Sequence, residues 1–470
     1  MAEQTDLLVL GGGTGGYVAA IRAAQKGLNV TIVEKYKLGG TCLHKGCIPT
    51  KALLRSAEVF DTMKESDIFG IESNNEYVVN FKKIQERKQS IVDQLHSGVM
   101  GLCKKNKIRI LEGEGVILGP SIFSPVSGAV AVTFNDKSKE EEIIVPKNVI
   151  IATGSSPKTL PNLPLDEENI LSSDGMLELE TLPKSIVIVG GGVIGVEWAS
   201  LLNSLGVKVT IVEFLDRLLI NESSSVSRQL KKSLKDKGID ILLSSKVESA
   251  IIGKKGVKVS IEGKEKLTVD KVMVAIGRAP NVNGFGLQNT SVKFGNKGIE
   301  VNEFYQTTEG HIYAIGDCID TMQLAHVAMK EGELAVAHLL QEEVVPINYT
   351  NVPRGVYTNP EVASVGYVKD NVPKDRKVKI GKFNFAGNGK ALVYGGNEGF
   401  VEVIRDEETD DLLGVSIIGP HATDLITEAS TSMYLDATPL EIGEAIHPHP
   451  TLTEALQEAA LDTYGLAIHK

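Results

Sequence analysis

The chain has no run of about 18 apolar residues, the length a membrane-spanning helix needs, so nothing in it is expected to cross a bilayer. It also lacks a basic excess. Acidic side chains number 60 against 49 basic ones, and the resulting net charge of −11 argues against nucleic acid or an anionic membrane as the main partner. Cysteine is scarce: four in 470 residues do not make a disulfide framework. In a reducing cytosol a bridge between two of them would be catalytic rather than structural. No group of side chains has metal-ligand spacing, so no metal is expected. Residues 6–10 already read as a buried strand, leaving no room for a signal or transit peptide, and a cytoplasmic location is expected.

What is there is an ordinary soluble composition, 42% hydrophobic and 23% charged, in a chain too long for a single core. Its organising feature is an internal repeat. The first copy is the strand 6–10, then Gly11-Gly12-Gly13-Thr14-Gly15-Gly16, an apolar-periodic stretch, and Val30-Thr31-Ile32-Val33-Glu34. The second is the strand 185–189, then Gly190-Gly191-Gly192-Val193-Ile194-Gly195, a similar stretch, and Val209-Thr210-Ile211-Val212-Glu213. One constant offset carries Gly11 onto Gly190, Gly16 onto Gly195, Gly27 onto Gly206 and Glu34 onto Glu213.

Strand, glycine turn, helix, strand, acid is the order a dinucleotide-binding unit needs. The first glycine permits the tight turn, the second admits a pyrophosphate, and the third lets helix and strand pack closely. The pyrophosphate then faces free N–H groups and the positive end of the helix dipole. Glu34 and Glu213 end the second strands, placed to accept from a ribose 2′-hydroxyl. Glu213 would repel a 2′-phosphate, which favours NAD over NADP; Arg217, four positions on, is either a counterweight or a solvated arginine. A single glycine motif would be weak, since it also describes a turn with no ligand, but two in full context are not.

Three further strands end at glycines. Residues 149–154 and 272–278 close on Thr153-Gly154 and Gly277-Arg278, and read as crossovers leaving each nucleotide unit. Residues 312–317 close on Gly316-Asp317 and read as the first nucleotide domain resuming after the second is inserted, with Asp317 toward a ribityl chain. From about Pro346 the character changes: 401–404 and 412–418 flank a polar turn, and helical patterns follow at 422–435 and 452–461. The expected fold is α/β, with two Rossmann-like dinucleotide-binding domains, the second inserted in the first, and a C-terminal α+β domain. The boundaries fall at 1–150, 151–278, 279–345 and 346–470.

Cys42 and Cys47 lie in Gly39-Gly40-Thr41-Cys42-Leu43-His44-Lys45-Gly46-Cys47-Ile48-Pro49-Thr50-Lys51, soon after Glu34. Pro49 suits the first turn of a helix, which places Cys47 where a helix dipole favours thiolate. An isolated pair at this spacing would more often be two unrelated buried thiols. Beside a nucleotide site, in a glycine-flanked loop, the reading turns to a redox-active disulfide. Cys103 and Cys318 lack such surroundings and read as buried thiols.

Thiol–disulfide exchange needs a thiolate, and histidine has the pKa to make one. His449 stands five positions before Glu454, an acid that would fix its tautomer. On spacing alone the usual outcome for a single histidine is a surface or hydrogen-bonded residue, and a His-x-His metal pair with His447 is a second alternative for which no third ligand suggests itself.

On Gly39 to Cys42, Gly46 to Pro49, Gly277-Arg278 with Pro280-Asn281, Gly316-Asp317, and His449 to Leu452 with Glu454, the chain resembles the pyridine nucleotide-disulfide oxidoreductases along essentially its whole length. The resemblance implies FAD on the first domain, NAD on the second, and a C-terminal interface domain that makes a homodimer. It places Gly11, Gly13, Gly16, Glu34, Gly40, Thr41, Lys51, Gly115, Thr153, Gly154, Asp317 and Ala325 about FAD. It places Gly190, Gly192, Val193, Ile194, Gly195, Glu197, Glu213, Val247 and Gly277 about NAD. Cys42, Cys47, His449 and Glu454 become the catalytic set, with His449 serving the disulfide of the opposite subunit.

Within the family the chain is similar to members that oxidise dihydrolipoamide, carried on a lysine of the acyltransferase component of a 2-oxo acid dehydrogenase complex, and pass the electrons to NAD. Between the cysteines the family usually has Asn-Val where this chain has His44-Lys45, and Thr50 stands where Ser is usual. That pattern, with His447-Pro448, is most similar to bacterial enzymes of branched-chain complexes, and a cation beside the disulfide would stabilise thiolate. Glutathione and mercuric reductases are the nearest rivals; Glu213 and the absence of a C-terminal cysteine pair count against them. A redox-silent assembly subunit is the rival from another class, and the cysteine pair argues against it.

Overall fold

The computed structural model describes residues 3–72, 77–120 and 126–470. The chain divides into two compact units, one of Met1–Ala52, Gln85–Lys158 and Gly277–Ile347, the other of Leu53–Ile84, Thr159–Ile276 and Asn348–Lys470.

The first unit is built on a six-stranded sheet. Glu3–Leu10 lies between Val30–Glu34 and Glu142–Ile151, parallel to both. Arg109–Ile117 extends the sheet beyond Val30–Glu34, and Ile312–Ala314 extends it beyond Glu142–Ile151, again in parallel. Val130–Phe134 runs antiparallel to Arg109–Ile117 and Glu142–Ile151. Every residue of Val30–Glu34 is buried, which is why it reads as an unbroken apolar run rather than an alternation. The helices Thr14–Gln25 and Ala325–Leu339 meet at two glycines: a Cβ on Gly332 would stand 2.8 Å from the Gly15 carbonyl oxygen. Ile312–Ala314 joins this sheet only after every strand of the other unit's parallel sheet has passed in sequence, so the second nucleotide fold is an insertion into the first.

The second unit carries a five-stranded parallel sheet in the order Asp240–Leu242, Lys208–Val212, Ser185–Val189, Lys271–Val274, Ile170–Leu171. An antiparallel meander, Val247–Gly253, Gly256–Ile261 and Leu267–Val269, follows in the chain. A second five-stranded sheet is antiparallel: Arg354–Val356, Glu361–Gly366, Leu412–Gly419, Phe400–Asp406 and Val378–Asn384. Helices Ala422–Tyr434 and Glu454–Asp462 bury Ile426, Ala429, Leu456 and Ala459 in one core with Val365, Val403 and Ile417 of that sheet. Asn348–Lys470 packs with Thr159–Ile276 because Val356, Val362, Phe400 and Ile418 share an apolar cluster with Ile186, Val226 and Leu230.

Candidate active site

The two glycine turns are copies in three dimensions as in sequence. Gly11 has φ +104°, and a Cβ there would lie 2.3 Å from the Ala152 carbonyl oxygen; Gly190 has φ +114° and would meet the Ala275 carbonyl oxygen at 2.3 Å. A Cβ on Gly16 would stand 2.0 Å from the Gly11 carbonyl oxygen, and one on Gly195 2.0 Å from that of Gly190. These four positions are closed by the protein's own backbone. Gly13 and Gly192 are different: the nearest atom to a Cβ on Gly13 is 3.9 Å away, and Gly192 has nothing within 4 Å. Each is the N-cap of its helix, Thr14–Gln25 or Val193–Ser204, and neither helix has a capping side chain. First-turn N–H groups beside open space are what an incoming pyrophosphate requires.

The acids repeat as well. Glu34 Oε2 accepts from the Gly12 N–H at 2.6 Å and Oε1 from the Tyr36 N–H at 2.7 Å. Glu213 Oε2 accepts from the Gly191 N–H, and Oε1 from the Leu215 N–H at 2.7 Å. Each carboxylate is thus held rigid by main chain, with lone pairs left over for a ribose. Arg217 offers Glu213 no counterweight in this arrangement. It donates to the Ile220 carbonyl at 3.0 Å and stands 3.7 Å from Asp370.

The other residues expected about FAD gather in the first unit. A Cβ on Gly40 would meet Gly13 Cα at 2.5 Å, so the segment leading to Cys42 lies against the glycine turn. Thr153 and Asn281 exchange two hydrogen bonds, Oγ1 to the Asn281 carbonyl at 2.8 Å and Nδ2 to the Thr153 carbonyl at 3.0 Å. Gly154, with φ +68°, accepts through its carbonyl from the Asn281 N–H. Asp317 accepts from Ser155 Oγ at 2.5 Å, and Arg278 Nε donates to the same Ser155 Oγ at 2.7 Å. Ser155 was not legible as a site residue, since nothing in its neighbours marks it. Ala325 begins its helix. Gly115 sits in a strand, where a Cβ would stand 2.6 Å from a Leu10 methyl and crowd Val33 and Val130.

In the second unit, Glu197 is 3% exposed on the helix Val193–Ser204 and accepts from the Tyr357 N–H at 3.0 Å. Val247 begins a strand and accepts from Asn162 Nδ2. Gly277 has φ +105° and lies in the first unit, where its carbonyl accepts from the Lys158 N–H.

Cys42 and Cys47 form a disulfide with Cα atoms 4.7 Å apart. Cys42 belongs to the short helix Gly40–His44, and Cys47 is the first residue of Cys47–Lys64, with Lys51 one turn further on. His44 lies 2.9 Å through Nε2 from the Leu38 carbonyl, and His96 lies 2.9 Å through Nδ1 from the same oxygen. Burial pushes His44 down, the Leu38 carbonyl offsetting it in part, which disfavours the charged form of the imidazole. The Lys45 ammonium stands over the Tyr36 ring, its Nζ 5.6 Å from the ring centre. Cys103 and Cys318 are buried free thiols, each pushed up to about 11 by desolvation.

His449 is 79% exposed, and its Nδ1 lies 2.9 Å from Glu454 Oε1. A carboxylate only accepts, so Nδ1 donates and Nε2 is left with a free lone pair. Glu454 Oε2 accepts from the Thr451 N–H at 2.8 Å. Burial raises the Glu454 carboxyl, but the Thr451 N–H and the His449 imidazole outweigh it and hold the group below the usual carboxylate range. His447 is half of no metal pair: its Nδ1 lies 2.9 Å from the Ala445 carbonyl and its Nε2 2.8 Å from Glu428 Oε1.

Residues 5–332 match the family described as pyridine nucleotide-disulphide oxidoreductase, and residues 352–460 match its dimerisation domain. The chain belongs to this family. A dihydrolipoyl dehydrogenase of Bacillus subtilis (strain 168) is 52% identical over 475 residues and covers all of both chains. A second from the same organism is 43% identical, over 98% of this chain and 99% of its own. Among solved structures, LpdA from Mycobacterium tuberculosis superposes with a TM-score of 0.90 at 26% identity, over 98% of this chain and 99% of its own. The protein is accordingly a flavoprotein disulfide oxidoreductase with FAD and NAD as cofactors, and the dimerisation domain supports a homodimer. Among the described residues no helix is long and apolar enough to cross a membrane.

Proposed function

We propose that the chain oxidises protein-bound dihydrolipoamide to lipoamide and reduces NAD+, in the cytoplasm, as a homodimeric component of a bacterial 2-oxo acid dehydrogenase complex. The observation that carries this reading is the joined Cys42–Cys47 pair, set directly after a nucleotide cradle. The identity to dihydrolipoyl dehydrogenases over the whole chain supports it. FAD, when bound by Gly11, Gly13, Gly16, Glu34, Gly40, Thr41, Lys51, Gly115, Thr153, Gly154, Asp317 and Ala325, supplies a two-electron carrier between dithiol and nicotinamide. NAD is held by Gly190, Gly192, Val193, Ile194, Gly195, Glu197, Glu213, Val247 and Gly277.

The chain's own residues then perform the exchange. Glu454 orients the imidazole of His449, whose Nε2 takes a proton from one thiol of dihydrolipoamide. In the dimer this base is the partner subunit's His449. The thiolate attacks Cys42 Sγ; a mixed disulfide forms, the Cys42–Cys47 bond breaks, and Cys47 leaves as a thiolate stabilised at the first turn of its helix. The second substrate thiol loses its proton to solvent and its sulfur attacks the first, which closes the lipoamide ring and releases Cys42, protonated by the imidazolium of His449. The substrate has lost two electrons and the cysteine pair has gained them. Glu213 admits a ribose diol and repels a 2′-phosphate.

Steady-state rates of the purified protein test this, with dihydrolipoamide or glutathione disulfide as thiol partner and NAD or NADP as nucleotide. Turnover with dihydrolipoamide and NAD+ is expected. A preference for NADPH and glutathione disulfide would overturn the substrate assignment.

A further inference from the structure

Residues 445–450 form an exposed strap between the helices Pro439–Glu444 and Glu454–Asp462, with Ile446 99% exposed and His449 79% exposed. One side chain in the strap is tucked in: the His447 imidazole, 6% exposed. Its two nitrogens both face acceptors, the Ala445 carbonyl at 2.9 Å and Glu428 Oε1 at 2.8 Å. A carbonyl oxygen cannot supply a proton, so Nδ1 carries one. The contact with Glu428 holds a second, on the ring or on the carboxyl. Such a histidine has no lone pair to spare for chemistry; it is a fastener. It ties the strap to the helix Ala422–Tyr434, which carries Glu428, while Gln457 Nε2 donates at 3.1 Å to the same Ala445 carbonyl.

On the far side of His449 the strap is tied again. Thr451 donates through Oγ1 to the Pro448 carbonyl at 2.8 Å and through its N–H to Glu454, and its carbonyl accepts from Asn388 Nδ2 at 3.0 Å. His449 therefore stands between two anchors. Glu454 sets the plane and tautomer of its ring, and the His447–Glu428 pair sets where the main chain presents that ring.

We infer that His447 and Glu428 are positioning residues for His449, a second imidazole–carboxylate couple that fixes the strap so that the base meets the substrate thiol. The inference rests on the function proposed above. A base displaced by about 1 Å loses on the order of a hundredfold, and a loosened one loses part of that.

The test uses FAD-loaded full-length enzyme and two reactions. Dihydrolipoamide oxidation by NAD+ needs the base. NADH oxidation by ferricyanide, a one-electron acceptor, needs no thiol deprotonated. For His447→Ala and Glu428→Leu, kcat with dihydrolipoamide is expected to fall about tenfold with KM changed by less than about twofold. Ferricyanide turnover and bound FAD should stay as in wild type. Glu428→Gln keeps a polar partner for Nε2, since a neutral imidazole accepts from its amide, and should stay within about twofold of wild type. The inference is overturned if His447→Ala keeps its dihydrolipoamide turnover, or if ferricyanide turnover and FAD content fall in parallel with it. It is overturned too if Glu428→Gln falls as far as Glu428→Leu. A wild-type enzyme inert toward dihydrolipoamide would instead remove the function on which the inference stands.

Discussion

At Gly192 the backbone leaves room that no protein atom fills, and its φ of −77° suits any residue. The methyl of Gly192→Ala would therefore meet no protein atom, and would stand where a pyrophosphate must approach the helix. The expected outcome is a melting temperature lowered only slightly, by the poorer N-cap, and an unchanged FAD content, with KM for NAD+ raised at least about tenfold. Gly190→Ala is the contrast. With φ +114° and a Cβ 2.3 Å from the Ala275 carbonyl oxygen, it should lower stability by about 1–3 kcal/mol, measured by denaturant unfolding. Equal NAD+ binding by Gly192→Ala and wild type would show that this turn does not cradle the nucleotide.

The helix Pro439–Glu444 illustrates how an element is held by its ends. Thr438 is its N-cap, accepting from the Leu440 N–H at 3.2 Å, and Glu441 reaches back to accept from the Thr438 N–H at 2.8 Å. Thr438→Ala should cost about 1 kcal/mol. The Thr438 hydroxyl is the largest cause holding the Glu441 carboxyl below its ordinary 4.5. A carboxyl depressed in the folded state contributes stability that is present above that value and is lost as pH falls through the folded one. The difference between Thr438→Ala and wild type, followed by thermal unfolding against pH, should therefore shrink below pH 4.5. A gap that widened in acid would contradict this account of the cap. Features set by neighbouring residues were legible, the polar turn between residues 404 and 412 among them. So were both glycine turns, the paired strands Phe400–Asp406 and Leu412–Gly419, and the helix Ala422–Tyr434, each announced by residues within a few positions. Ile170–Leu171 and Arg278–Pro280 are too short to show any alternation and exist as strands only through their partners. The site divides the same way. Cysteines, acids and glycines mark themselves, whereas Ser155 meets Asp317 across a separation of 162 residues, and Glu428 meets His447 from the helix Ala422–Tyr434. Such pairings are made by the tertiary fold, and no spacing encodes them. The burial that disfavours the charged form of His44 is likewise a property of packing.

At the scale of the whole molecule the question is which chain's base serves which chain's disulfide. Cys42 and Cys47 belong to one compact unit and His449 and Glu454 to the other, and residues 352–460 match a dimerisation domain. Two single variants separate the possibilities. On the proposed mechanism Cys42→Ser removes the attacked sulfur and His449→Gln removes the base, so each homodimer should be inactive toward dihydrolipoamide while retaining FAD. In a mixed dimer with the base acting across the interface, one site combines both lesions and the other has neither. With the base acting on its own chain's disulfide, both sites stay broken. Random reassortment of equal amounts makes half the dimers mixed, each with one of two sites intact, so activity should recover to about a quarter of wild type. Recovery should follow the time course of subunit exchange, and it should be absent when the variants are mixed without dissociation. Exchange that is complete by mass but restores nothing would place the base on its own disulfide, and the pairing with the partner subunit's His449 would have to be given up.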